Sequence, residues 1–375
     1  MNKINKDKNF KNIKAQLLEN KNEKNKRKKI YFIAKNKINM NNIIHEVKYF
    51  IIKKLFLKIF IFINLIFYIE SKNNLYNNRM LEENLETIEI IVNITESGEH
   101  LILNNSFNSE PIYVEVNGTI KNLTNDKKLT LESNIYLIKL IWNSPLQNLK
   151  YIFSEIPNII EINFSNFNTS KVENMNYMFH KCIHLKKITF GNNFDTSSVK
   201  AMEYMFSNLI SITSLNLSFF NTSSVEAMKK MFYNFTSLEY LDVSTFDTSK
   251  VKTFNMMFQN CISLMSLDLT SFNTENVTDM NEMFLNCKSL ISLNIASFNT
   301  KSVTQMNKLF SGCNSLTSID LSSFDTSSAT QMDSFFMDCY SLKNIDVSKF
   351  NTSLIVTMRI VQRLPINYLF KSFKF

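Results

Sequence analysis

Between residues 146 and 353 the apolar positions recur at a fixed interval. One phenylalanine falls at 153, 179, 206, 232, 258, 284, 310 and 336, in steps of 26 residues and once 27. A second falls at 167, 194, 220, 246, 272, 298, 324 and 350. In the copy at 303–327, Val303, Met306, Leu309, Phe310 and Cys313 sit at i, i+3, i+6, i+7 and i+10. That spacing predicts an apolar stripe along a short helix. Ser302, with Thr326 and Ser327 ahead of the next copy, offers an N-cap. Leu316, Ile319 and Leu321 then read L-x-x-L-x-L. The closing alternation predicts a strand with Ile319 and Leu321 inward and Asp320 outward. Phe324-Asp325-Thr326 turns the chain, because Asp and Thr side chains bond nearby backbone amides.

Repetition at this period means that each unit buries its apolar face only against its neighbours. A strand and a short helix per unit predict an α/β fold: a leucine-rich-repeat solenoid of about eight 26-residue repeats. Its parallel strands would lie about 4.8 Å apart, giving a sheet roughly 35–40 Å long. Each inward position becomes a column through the core. The methionine column (Met175, Met202, Met228, Met280, Met306, Met332) also accepts Leu149 and Phe254, and methionine suits irregular packing.

The phrase Ser-Leu-x-Ser-Leu-Asp-Leu-Ser-Ser-Phe-Asn/Asp-Thr-Ser-x-Val-x-x-Met-x-x-Met-Phe-x-x-Cys resembles the BspA-like leucine-rich-repeat surface proteins. It is most similar to their 26-residue variant, and the best copies are residues 260–286, 286–312 and 312–338. The resemblance implies a secreted or surface-anchored binding protein that adheres to host or matrix proteins. It brings no catalytic residues with it.

The flanks change how the charge is read. The formal charge is +9, but residues 1–58 hold 16 Lys and one Arg against Asp7, Glu19, Glu23 and Glu46, a net of +13. The remainder therefore carries about 9 − 13 = −4. A Lys/Asn-rich leader at 1–54 is expected to be disordered, and a mildly acidic repeat body argues against nucleic acid as a partner. Leu55 to Ile69 is an apolar run of 15 residues behind Lys53-Lys54, the length of a signal-peptide core or signal anchor. A start at Met40 would give it an ordinary leader. No cysteine precedes Cys182, so no lipid-attachment cysteine follows the run. Both readings place the repeats outside the cytosol, secreted or at the cell surface, with membrane contact only through 55–69 if it stays uncleaved.

Residues 70–85 read as a linker and 86–145 as a small β-rich N-terminal cap over the open end of the repeats. In the cap Ile88, Ile90 and Val92 alternate, Asn117-Gly118 is a hairpin signal, and Ile135 to Trp142 is an apolar strand. The repeats occupy 146–353. Residues 354–375 begin a ninth copy and lose it at Gln362 and Pro365, a degenerate repeat or tail.

Candidate chemistry is sparse. Cys182, Cys261, Cys287, Cys313 and Cys339 share one slot, which elsewhere holds Ile156, Leu209 or Phe235. A slot open to Leu and Phe is core, so these read as buried free thiols, neither a disulfide set nor a metal site. His180 and His184 lie four residues apart in one copy only. With four glycines in 375 residues, a phosphate-cradling loop is not expected. No catalytic, cofactor-binding or metal-binding residues are assigned, and no enzyme is expected. The outward strand column (Asn163, Thr189, Asn216, Asp242, Asp268, Asn294, Asp320, Asp346) is the candidate binding stripe, led by Asp242, Asp268, Asn294, Asp320 and Asp346. A second column, Asn168, Asp195, Asn221, Asp247, Asn273, Asn299, Asp325 and Asn351, reads as turn-forming. The sequence thus predicts a monomeric, exported, non-catalytic repeat protein that adheres to a protein or glycan ligand on another cell or matrix. The alternative is an intracellular scaffold or signalling protein.

Overall fold

A computed structural model describes residues 85–355 apart from position 344. The leader, the apolar run at 55–69 and most of the tail lie outside the described residues. The sheet begins with β1 (Glu86–Ile94), which pairs antiparallel with β6 (Asn134–Trp142) over nine residue pairs. Ile88, Ile90 and Val92 point inward and are fully buried, as their alternation requires. β3 (Tyr113–Val116) and β4 (Thr119–Lys121) form a hairpin beside β6. At its turn, Asn117 and Gly118 have φ of 46° and 87°, both positive as a type I′ turn demands. β2 (Gly98–Leu101) and β5 (Lys128–Leu131) form a separate pair.

The other edge of β1 pairs with β7 (Ile159–Asn166), the strand of the first repeat, and β7 pairs in parallel with β8 (Lys187–Thr189). One six-stranded sheet, β4-β3-β6-β1-β7-β8, therefore runs from the N-terminal region into the repeats. Farther on, β9 (Ser266–Asp268) and β10 (Ser292–Asn294) pair in parallel. The segment Ile319–Leu321 is not assigned as a strand, although Leu321 is buried and Asp320 exposed as the alternation implies.

The expected helices do not form. Among the described residues no helix is present, and the stripe at 303–313 folds as consecutive turns. The backbone accounting explains why. The N–H groups of Met306, Lys308, Phe310 and Gly312 bond the carbonyls of Gln331, Asp333, Phe335 and Met337 in the next repeat, at 2.7–3.0 Å. The amides between them bond locally: Leu309 to Met306, Ser311 to Lys308 and Cys313 to Phe310, at 3.2–3.3 Å. Alternate donors thus serve the neighbouring repeat and the rest close turns, which satisfies the backbone without a helix. The residues two before and two after the first phenylalanine are left-handed in every copy, from Tyr151 and Glu155 (φ 66° and 61°) to Ser334 and Asp338 (57° and 61°). A left-handed third residue is what a type II turn needs, and it is incompatible with a continuous helix.

The core follows the columns. The eight phenylalanines from Phe153 to Phe336 stack in sequence, with centroids 5.4–6.4 Å apart and planes within 15°. Each such contact adds about 0.5–1.5 kcal/mol beyond area burial. Buried threonines bind the far side: Thr169, Thr196, Thr222, Thr248, Thr274, Thr300 and Thr326 each donate Oγ1–H to the carbonyl of the Asn or Asp opening the equivalent phrase one repeat later. The expected N-cap role of Thr326 is thus replaced by a bond to the Asn351 carbonyl at 2.9 Å. The single 27-residue step is absorbed between Phe190 and Phe194. There Gly191 approaches Ser165 so closely that a Cβ would stand 2.6 Å from its Cα, so only glycine fits.

The first repeat is closed from outside by Asn104. Its N–H bonds the Ile152 carbonyl at 3.1 Å and its Nδ2 the Ser154 carbonyl at 2.8 Å. These are the same carbonyl positions that Met178 and His180 present to Phe153 and Glu155.

Candidate functional site

The strand register places Asp268 directly beside Asn294, flanked by Ser266 beside Ser292 and Leu267 beside Leu293. Asn163 likewise lies beside Thr189. Asp268, Asn294, Asp320 and Asp346 are exposed and Asp242 is half-buried. Of the five, only Asp268 and Asn294 are joined in a strand pair.

Each of these side chains has a local task. Oδ1 of Asp242, Asp268, Asp320 and Asp346 accepts the N–H two residues on, at 2.9–3.0 Å, and Asn294 does so at 3.4 Å. The second column makes the same bond, for example Asp247 to Ser249 and Asp325 to Ser327, both at 2.9 Å. Both columns are therefore Asx turns, and turn formation does not separate them. The hydroxyl and amide of Ser244 hold the Asp242 carboxyl below its ordinary range. The amide and hydroxyl of Ser322 do the same for Asp320. These groups stay anionic, so the face keeps its negative charge.

Sequence reasoning missed the apolar part of this face. Tyr240, Met265 and Ile291, on three consecutive repeats, are 65%, 47% and 55% exposed. Backbone bonds from Met265 N–H to Glu239 O and from Ile291 N–H to Met265 O keep them in adjacent rungs. A signal was present for one of them: Tyr240 stands where Ser214, Ser266, Ser292 and Ser318 stand in other copies, whereas Met265 and Ile291 share a mixed column with Lys186, Thr213, Glu239 and Thr317.

The other candidates resolve into packing. All five cysteines are free and buried. Each thiol donates to the carbonyl of the first phenylalanine one repeat earlier, as Cys287 does to Phe258 at 3.1 Å and Cys313 to Phe284 at 3.2 Å. Burial pushes Cys182, Cys261 and Cys339 up to about 12, and Cys287 and Cys313 well above the ordinary thiol value. Such thiols are not nucleophiles. His180 sits against the Ser207 hydroxyl and edge-on to Tyr177 and Tyr204, and burial pushes it down to about 4. His184 bonds the Pro157 carbonyl instead. Tyr151, Tyr177 and Tyr204 stack at 4.8 and 4.4 Å, and the ammonium of Lys230 lies 5.1 Å from the Tyr204 ring.

The comparisons with known proteins bear on this repeat body. The model of a Mycoplasma protein family of unknown function, DUF285, matches residues 147–267 and 260–363, more than half of the chain. The chain belongs to this family. A leucine-rich repeat protein from Bacteroides ovatus, solved by crystallography, is similar at 19% identity and a TM-score of 0.35. That similarity covers 58% of this chain and 60% of the Bacteroides protein. No curated protein matches the sequence.

Proposed function

We propose that this family member is an exported, non-catalytic binding protein whose repeats form one solenoid and present their outward face to a protein partner. The observation that carries the reading is the exposure of Tyr240, Met265 and Ile291 on three consecutive repeats, beside the carboxylates of Asp242 and Asp268. Large apolar side chains held in water on adjacent rungs mark a contact surface. Tyrosine in particular concentrates binding energy at interfaces. The acidic rim selects a partner with basic groups around an apolar anchor, by charge complementarity. Export is supported by the apolar run at 55–69 behind two lysines.

The test has two parts. A C-terminally tagged chain in its own cell should be cut by external protease, and N-terminal sequencing should place the mature start near Lys72. Full protection of an intact chain would overturn export. Immobilised extracellular-matrix proteins should then retain the wild type and lose the double variant Asp268→Lys/Asp320→Lys, which should still fold despite losing two Asx-turn bonds. Equal retention of the two would remove the acidic stripe from the site. One observation favours the rival intracellular scaffold: the five unpaired cysteines suit a reducing compartment. Protease protection would decide for it.

A further inference from the structure

A cleft of about 560 Å³ opens where the loop before the hairpin meets the first repeat, away from the outward face. Its volume falls within the range of about 300–1,000 Å³ that small ligands occupy. Four primary amides line it, from Asn108, Gln147, Asn148 and Asn174, together with Tyr151 and a single cation, Lys150. No carboxylate is among the lining residues.

The donors are arranged. Asn148 and Asn174 form a parallel bridge, so two amides stand side by side on adjacent rungs. The Oδ1 of Asn148 accepts the Lys150 N–H at 2.8 Å, and that of Asn174 accepts the Asn176 N–H at 2.9 Å. Each therefore commits its oxygen and keeps its NH₂ without an acceptor among the described residues. The side chains of Asn108 and Gln147 have no hydrogen-bond partner among the described residues.

The loop that carries Asn108 is fixed by a buried charge. The ammonium of Lys127 bonds the carbonyls of Asn104 and Asn105 at 3.3 Å each and that of Phe107 as well. Asn104 ties the same loop to Ile152 and Ser154. Burying a lysine against three carbonyls is costly, and here it holds the loop that carries Asn108.

We propose that this cleft is a saccharide site that takes a sugar bearing a carboxylate. Paired amides match adjacent sugar hydroxyls, which both donate and accept. The lone Lys150 supplies one positive charge for one carboxylate, where a nucleotide phosphate would call for more. A basic peptide finds no counter-charge in the lining. The site is independent of the outward face, so it can stand or fall separately from the binding role assigned to that face.

The test is calorimetric titration of the whole chain with glucuronic acid and N-acetylneuraminic acid, as free acids and as methyl glycosides, beside glucose and N-acetylglucosamine. An acid sugar should bind, and its neutral counterpart should bind at least tenfold more weakly. Lys150→Met should abolish that preference, and Gln147→Ala should weaken both sugars, with unchanged melting. Asp320→Asn on the outward face should leave binding as it is. Preference for the methyl glycoside would mark a glycan terminus as the source, and preference for the free acid a soluble sugar. Absence of binding by every sugar, or binding that neither cleft variant weakens, would overturn the proposal.

Discussion

Thr300 holds Asp325 twice: its hydroxyl donates to the Asp325 carbonyl at 2.8 Å and accepts the Asp325 N–H at 2.8 Å. The threonine is fully buried, and one side chain satisfies both backbone groups of a residue in the next repeat. Thr300→Val keeps the shape and removes both bonds. It should cost about 1–3 kcal/mol in urea unfolding, the penalty for stranding buried polar groups. Thr300→Ser should recover most of the loss, and an unaltered Thr300→Val midpoint would show that the threonine bonds between repeats add no stability.

Phe284 stacks between Phe258 and Phe310 at 5.8 and 5.6 Å with near-parallel planes. Phe284→Ala should lower stability by about 3–5 kcal/mol through the cavity it leaves. Equilibrium denaturation measures this directly, and a loss under about 1 kcal/mol would contradict the continuous stack.

Asn234 is left-handed, with φ of 56°, and its amide bonds Asn208 at 2.8 Å. Asn234→Ala and Asn234→Gly both remove that amide, so their difference isolates the backbone. The alanine variant should be less stable than the glycine variant by about 1–2 kcal/mol. Equal melting temperatures would mean that the turn relaxes.

All five thiols should resist a disulfide reagent in the folded chain at mildly alkaline pH, and all five should react once urea unfolds it. The raised values of Cys182, Cys261 and Cys339, at about 12, leave almost no thiolate. Rapid labelling of any of them under native conditions would show that the repeats open locally.

Asp242, Asp247, Asp320 and Asp325 all have carboxyls held below the ordinary value. The serine hydroxyl contributes most for Asp242 and Asp325, and the serine amide for Asp247 and Asp320. A depressed folded-state value adds stability that is present above the unfolded carboxyl value and disappears as pH falls through the folded one. Stability should therefore decline on acidification from roughly pH 5 downward. The fourfold Asp→Asn variant, which keeps the turn acceptor, should decline less steeply. Parallel curves would contradict the assignment.

The columns of the core could be read from the sequence because burial depends only on which side of the unit a residue faces. Phe284, Met280 and Cys287 are buried wherever their neighbours are. The path of the backbone between them could not be read so directly. Val303, Met306, Leu309 and Phe310 satisfy a helical period, yet a run of turns on a three-residue spacing buries the same set. What separates the two is the residue after next from the first phenylalanine: in six of the eight copies it is Asn208, Asn234, Asn260, Asn286, Gly312 or Asp338, types that tolerate a left-handed backbone, while Glu155 and Lys181 adopt it without that signal. In the candidate site, the exposed Asp268, Asp320 and Asp346 follow from strand alternation. Their Asx bonds were signalled by the Ser or Thr two residues on, a pattern present in both columns. Tyr240 breaks a run of serines, and Met265 and Ile291 lie in a column with no fixed residue type, so a reading built on what repeats passes over all three.

The interlocking of the repeats also gives the stack a polarity. On the track of the first phenylalanines, from Phe153 to Phe310, amide donors point toward the following repeat, whereas at Glu173, Lys200, Thr278 and Thr304 they point toward the preceding one. The two ends of such an array are thus chemically unlike. On the first of these tracks Asn104 meets the exposed carbonyls of Ile152 and Ser154 with donors, so it matches that end of the array. Within that rule a whole repeat is an interchangeable part. Duplicating or deleting one restores the same donor–acceptor junction on both sides, so the number of repeats can change without redesigning the strands β1 to β6.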